Sequence, residues 1–93
     1  MSDTVGKKKS KLATFGGLAL AGMGVAHYVT PQVFETITKP AFPRNTRQHV
    51  YLNGGIETAL GLGISSPKTR TIALVGTLGY LAYLGGSAAR NAR

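Results

Sequence analysis

Three apolar segments, each long enough to cross a lipid bilayer, constrain this chain more than any other feature of its sequence. They cover residues 12–29, 48–66 and 71–89, and each has 18 or 19 residues. As helices they would span roughly 27–28 Å, close to the thickness of the hydrocarbon core of a bilayer. No Lys or Arg lies within them, and Glu57 is their one acid. The sequence therefore predicts an all-α integral membrane protein with three transmembrane helices.

A soluble bundle of three buried helices is the main alternative to this interpretation. Its helices would each carry a polar stripe along the solvent side. The first segment has only Thr14 and His27 as polar residues, and the third has scattered Thr, Ser and Tyr. Neither pattern forms a stripe, which favours the membrane. Cleavage of the first segment as a signal peptide is disfavoured by the two apolar segments that follow it.

Basic residues flank the apolar segments and give the chain a net charge of +8. This segregation favours an anionic lipid surface as a partner and argues against nucleic acid. The densest cluster, Lys7 to Lys11, precedes the first segment and predicts a cytoplasmic amino terminus in a multi-pass protein of the bacterial plasma membrane. The predicted organisation is a basic cytoplasmic tail over residues 1–11, a membrane domain over 12–89 and a short tail over 90–93.

The connection between the first two segments contains a predicted short helix. Thr30 and Pro31 form an N-cap followed by proline at the first helical position. Pro31–Thr38 gives two turns with an apolar side, and Pro40 then ends them. We expect this helix to lie at the membrane interface.

Glycine is concentrated in the apolar segments, which hold twelve of the 13 glycines. Small residues let helix backbones approach closely in lipid. Their recurrence every four residues predicts a packing face on each helix, although short patterns of this kind also occur by chance. The predicted packing residues are Gly17 and Ala21; Gly55, Ala59 and Gly63; and Ala82 and Gly86.

Glu57 is the residue most able to carry chemistry. It lies at the middle of the second segment, where a charged acid is costly unless it is neutralised, paired or in contact with water. Tyr80 lies at a matching depth on the third segment and Thr77 one turn away, so either hydroxyl is a candidate hydrogen-bond partner. Glu57 is either a functional proton, ion or head-group site or a structural hydrogen bond between helices.

Two histidines, His27 and His49, are expected at the same membrane face. They are candidate interfacial ligands for a metal, a haem or a quinone head group. The alternative is that both rings simply lie in the head-group zone beside aromatic anchors. No third ligand is evident and no catalytic motif is present, so the sequence predicts no metal, no cofactor and no independent enzymatic activity.

A longer series of motifs resembles one family. It runs from His27-Tyr28-Val29-Thr30-Pro31 through Phe34, Ile37, Pro40, Pro43, Val50-Tyr51, Gly54-Gly55-Ile56-Glu57 and Gly61-Leu62-Gly63 to Pro67-Lys68-Thr69-Arg70. Residues 27–89 thereby resemble the DoxX-like family of small bacterial membrane proteins. The resemblance implies a four-helix membrane bundle with a kinked, proline-containing connection after the first helix. Some relatives look like membrane subunits of oxidoreductases that handle sulfur compounds and quinones, or partners of redox-defence enzymes. The fourth helix of that pattern is expected to be missing here.

The sequence leaves three functions open. The leading expectation is a non-enzymatic accessory or stabilising subunit of a larger membrane complex, which packs against other membrane subunits through its small-residue faces. A membrane component of a quinone- or haem-linked oxidoreductase is the second. A small ion- or solute-conducting oligomer, with Glu57 lining the pore, is the third.

Overall fold

The protein is entirely helical over residues 2–92, the part of the chain that the computed structural model describes. This part contains no β-strand and four helices, namely α1 (Ser2–Val29), α2 (Pro31–Thr38), α3 (Thr46–Ser65) and α4 (Arg70–Asn91). The predicted all-α fold is confirmed, and α2 has the bounds of the predicted short helix. Two helical stretches are long and apolar enough to cross a membrane: Gly6–Val29 within α1, and α4.

Local backbone preferences explain where the helices end. Thr30 precedes Pro31 and leaves the helical region at φ −136° and ψ 64°, because a following proline disfavours the α conformation. Ser66 precedes Pro67 and is extended for the same reason. Asn45 adopts the left-handed conformation at φ 55° just before α3, and asparagine tolerates that conformation better than most residues.

The basic segment expected as an amino-terminal tail belongs to α1. The helix begins at Ser2 instead of at Leu12, since residues 2–11 contain no proline and lysine is a good helix former. Similarly, α4 extends beyond the predicted third segment to Asn91. Met1 and Arg93, the outermost residues of the two predicted tails, lie outside the described residues.

The helices form a flat layer with α3 in the middle. The principal extents of the molecule are 51 × 28 × 17 Å. Helices α1 and α4 both pack on α3, but no pair of their Cα atoms lies within 8 Å in the described residues. A groove therefore runs between α1 and α4, with α3 as its floor.

Glycines allow α1 and α3 to pack at backbone contact. A Cβ atom at Gly17 would lie 2.6 Å from both the carbonyl oxygen of Gly61 and the amide nitrogen of Ser65. A Cβ atom at Gly54 would lie 2.8 Å from the carbonyl oxygen of Gly24. These distances are shorter than van der Waals contact, so larger residues would force the two helices apart.

Side-chain hydrogen bonds fasten the connections to the helices. Arg47 donates to Glu35 from Nε at 2.9 Å, which joins α3 to α2. At the other end of α3, Arg70 donates from Nε to the carbonyl oxygen of Ile64 at 2.7 Å and from its terminal nitrogen to Thr14 of α1 at 3.0 Å.

Candidate functional site

Glu57 lies on the floor of the groove and is held there by α4. Its side chain is 14% exposed. The hydroxyl of Tyr80, a buried residue of α4, donates to Oε2 of Glu57 at 2.5 Å. The two residues meet because α3 and α4 run antiparallel and each lies near the middle of its helix. A hydroxyl donor at this distance compensates the carboxyl group for part of its lost hydration.

His27 of α1 approaches the same carboxyl oxygen from the other side of the groove. Its Nε2 atom lies 3.7 Å from Oε2 of Glu57, and the residue is 5% exposed. Its Nδ1 atom lies 2.8 Å from the carbonyl oxygen of Met23. A carbonyl oxygen only accepts hydrogen bonds, so Nδ1 must carry a hydrogen atom. In the neutral ring, Nε2 therefore presents its lone pair on the side of Glu57.

This arrangement brings two groups that can each hold a proton to within 3.7 Å of each other. A proton on Glu57 can face the lone pair of His27, and a proton on Nε2 of His27 can face the carboxylate. The separation of 3.7 Å is longer than a direct hydrogen bond. The pair can therefore be bridged by a small polar group, or can close up when a proton is shared.

Aromatic and amide side chains complete the surroundings of the pair. Phe34 of α2 stacks on the His27 ring, with 3.8 Å between ring centroids and 21° between planes. Asn53 lies one turn before Glu57 on α3 and is 3% exposed. Its Oδ1 atom accepts a hydrogen bond of 3.2 Å from Tyr83 of α4. The orientation of each polar group is thus fixed by a residue from a different helix.

These groups line a cavity of about 410 Å³ to which all four helices contribute. Four of its residues are polar and converge on the α3 side: His27, Asn53, Glu57 and Tyr80. The remaining walls are mostly apolar and come from Met23, Phe34, Ile37, Thr38, Ala41, Phe42, Leu84, Gly85 and Ala88. An apolar cavity with a few converging polar groups is typical of binding sites for small molecules.

The other predicted polar residues lie elsewhere. Thr77 donates to the carbonyl oxygen of Ala73 in its own helix at 2.8 Å, which leaves the contact with Glu57 to Tyr80. His49 stacks on Phe42 and lines a different cavity from the one that contains His27. The two histidines therefore line neighbouring cavities that share Ala41 and Phe42. No group of three His, Cys, Asp or Glu side chains suited to a metal ion occurs in the described part of the chain.

The predicted packing residues divide among several environments. Gly17 and Ala21 face α3 and are buried. On α3, a Cβ atom at Gly55 would meet the Tyr28 hydroxyl at 2.9 Å, and one at Gly63 would meet the Cβ atom of Ala73 at 2.8 Å. Ala59, Ala82 and Gly86 are exposed. Helix α3 packs against both α1 and α4. Its tightest contacts with α1 are at Gly54 and Gly61, which lie on a different face of α3 from the predicted packing residues.

Two site residues were not predicted from the sequence. Asn53 is four residues before Glu57, and residues at this spacing share a helix face. The spacing from Glu57 is therefore the sequence signal by which Asn53 could have been predicted. From the sequence, Phe34 is identified only as one residue of the DoxX-like motif series, with no role in the site. Its stacking on His27 depends on the direction in which α2 returns over α1, which no local sequence pattern reports.

The fold and site define a small all-helical protein with two helices able to cross a membrane and a polar cluster in a mainly apolar groove. Residues 17–89 match the domain of unknown function DUF8561. The match covers more than half of the chain and includes every residue that lines the cavity, so the protein belongs to this family. No curated protein and no solved structure matches the chain.

Proposed function

We propose that the protein is a three-span membrane protein that acts as a non-enzymatic subunit of a larger complex in a bacterial plasma membrane. The observation that carries the proposal is the open groove between α1 and α4. Its floor contains the paired polar groups of His27, Glu57 and Tyr80, while its flanks are apolar. The Glu57 side chain remains 14% exposed and lines this groove, and lipid tails alone would cover its carboxyl group poorly because they offer it no hydrogen bond.

The outward faces of α1 and α4 support a membrane location. Phe15 is 75% exposed, Ile72 is 78% exposed and Leu78 is 69% exposed. Large apolar side chains at this exposure suit acyl chains or another apolar helix. The third span in this proposal is α3, whose 20 residues give a length of about 30 Å. Its polar residues Asn53 and Glu57 are hydrogen-bonded by neighbouring helices, which lowers the cost of placing them in lipid.

A helix from another subunit is the proposed occupant of the groove. The resemblance of residues 27–89 to DoxX-like proteins supports this proposal, because that family forms four-helix bundles and this chain contributes three long helices. The lysines from Lys7 to Lys11, near the start of α1, favour a cytoplasmic amino terminus.

Site-specific photo-crosslinking in the native membrane tests the proposal. A photoreactive residue at Leu84, which lines the groove cavity, should give a discrete crosslink to a second protein. The same residue at Leu78, on the outward face of α4, serves as the matched control and should crosslink mainly to lipid. Crosslinks to lipid alone at both positions, together with recovery of only a monomer in mild detergent, would contradict a subunit role.

A second function is favoured by the cavity itself. A volume of about 410 Å³ suits the head group of a lipid-soluble molecule such as a quinone, and His27 and Glu57 both line that cavity. In this version a proton on Glu57 or on Nε2 of His27 is donated in a hydrogen bond to a quinone oxygen in the cavity, and the protein is a membrane component of a quinone-linked oxidoreductase. Binding of a quinone analogue that is lost in the Glu57→Gln variant and retained in Thr77→Val would support it. Equal binding by both variants would exclude this site, and a visible absorption spectrum tests the haem-linked alternative.

A further inference from the structure

A separate basic cavity lies at the end of the bundle where α3 begins and α4 ends. Its volume is about 540 Å³, and it is distinct from the cavity that contains Glu57. Three of its lining residues are basic or can become so, namely Arg44, His49 and Arg90. They come from the α2–α3 connection, from α3 and from α4, so the tertiary fold brings them together.

Hydrogen bonds to one carbonyl group hold this cavity in shape. Ser87 donates to the carbonyl oxygen of Ala41 at 2.7 Å, and the side-chain amide of Asn91 donates to the same oxygen at 2.9 Å. Both bonds fasten the α2–α3 connection to the end of α4. Consequently Arg44, three residues after Ala41, and Arg90, next to Asn91, face a common space.

The histidine of this cavity is oriented by its surroundings. The His49 ring stacks on Phe42, with 4.3 Å between centroids. Its Nδ1 atom lies 3.1 Å from the carbonyl oxygen of Asn45 and must carry the hydrogen atom of that contact. Nε2 is then the ring nitrogen left for a ligand.

Among the side chains that the structure describes, both carboxylates lie outside this cavity. The sequence has three acids, Asp3, Glu35 and Glu57. Glu35 binds Arg47, and Glu57 lies in the groove with Tyr80. The positive charge of Arg44 and Arg90 is therefore available to an external anion.

We propose that this cavity binds a phosphate group, and specifically the head group of an anionic phospholipid. Two guanidinium groups suit phosphate because each offers paired N–H donors in a planar fork. A lipid is favoured over free phosphate since the cavity lies at the end of α4, whose outward face is apolar along its length. This proposal does not depend on which molecule occupies the groove between α1 and α4.

Native mass spectrometry of the delipidated full-length protein, titrated separately with phosphatidylglycerol, phosphatidylcholine and inorganic phosphate, tests the proposal. The Arg44→Gln/Arg90→Gln variant should bind phosphatidylglycerol about tenfold more weakly, which corresponds to losing about 1.4 kcal/mol. The Lys7→Gln/Lys8→Gln variant loses the same charge at the other end of the molecule and should keep its affinity within about twofold. Because both arginines are exposed, thermal unfolding should be unchanged and shows that the variant is folded.

Each alternative outcome has a definite meaning. Equal weakening in both double variants would show general charge attraction and overturn the site. Preference for inorganic phosphate, with no discrimination between the two lipids, would place a soluble phosphate in the cavity and overturn the lipid assignment. Selective loss of phosphatidylglycerol in the arginine variant alone supports the proposal.

Discussion

At the scale of single residues, the molecule is organised around Glu57. One oxygen of its carboxyl group accepts a hydrogen bond from Tyr80 and lies near Nε2 of His27. The two contacts come from α4 and α1, so one side chain links all three long helices. These polar contacts orient the side chains and also stabilise the fold. Substitution of one partner at a time measures how much each contact stabilises the fold.

Removing the Tyr80 hydroxyl should destabilise the protein only when its acceptor is present. Tyr80→Phe is expected to lower the free energy of unfolding by about 0.6–1.7 kcal/mol, the range found for hydrogen bonds between membrane helices. In a Glu57→Ala background the same substitution should have almost no effect, because the acceptor is gone. Unfolding in mixed micelles with increasing denaturing detergent measures both values. An equal cost in the two backgrounds would show that Tyr80 stabilises the fold through packing instead.

The tautomer of His27 is a second prediction at this scale. The contact with the Met23 carbonyl oxygen requires the hydrogen atom of the neutral ring to be on Nδ1. A histidine without such a contact can carry it on either ring nitrogen. Nitrogen-15 NMR of the labelled protein should therefore show a protonated Nδ1 and an unprotonated Nε2 while the ring is neutral. Signals of the Nε2–H tautomer would contradict the arrangement described for His27 and Glu57.

At the scale of helices, the interface between α1 and α3 depends on the absence of side chains. Backbone atoms of the two helices meet at Gly17, Gly61 and Gly54. At Gly16, by contrast, an added Cβ atom would point into open space, with no neighbouring atom within 4 Å. The two adjacent glycines of α1 thus provide a matched pair that differs only in the face of the helix.

Alanine at these two positions should have opposite consequences. Gly17→Ala is expected to lower the free energy of unfolding by about 1–3 kcal/mol, because the new methyl group overlaps the backbone of α3. Gly16→Ala should leave stability unchanged or raise it by up to about 1 kcal/mol through helix propensity. Detergent unfolding of both variants measures the difference. Equal effects would contradict the close approach of α1 and α3.

At the scale of the whole molecule, the flat arrangement of α1, α3 and α4 leaves two kinds of surface. The outer faces are apolar, and the groove has a polar floor. Both features agree with a molecule surrounded by lipid and covered on one side by another component. In this arrangement α1, α3 and α4 all cross the bilayer. In the alternative arrangement only α1 and α4 cross it, and α3 stays outside.

Cysteine labelling tests the number of spans directly, and the absence of natural cysteine makes each site unique. With three spans, Ser2→Cys and Ala92→Cys should react with a membrane-impermeant maleimide from opposite sides of the membrane. With two spans, both would react from the same side. Leu78→Cys, on the outward face of α4, should resist the reagent. Rapid labelling of Leu78→Cys in intact membranes would contradict a membrane-spanning α4.

The sequence by itself determined that the helices are present and where prolines interrupt them, but not where α1 begins or α4 ends. Long uncharged segments specify α1 and α4, and Pro31, Pro40 and Pro67 specify where the chain leaves and resumes helical structure. The depth match between Glu57 and Tyr80 also follows from counting residues along antiparallel helices. These properties are local, because they depend on spacing within a segment or on one residue and its neighbour.

The tertiary structure alone decided which faces meet. The rotation of α3 places Gly54 and Gly61 against α1, and the return of α2 places Phe34 on His27. The basic cavity of Arg44 and Arg90 likewise arises from two hydrogen bonds to the Ala41 carbonyl oxygen. A uniformly apolar helix has no polar stripe to fix its rotation, so many packings satisfy the same pattern. The choice among them rests on backbone contact and hydrogen bonding between segments that are distant in the sequence.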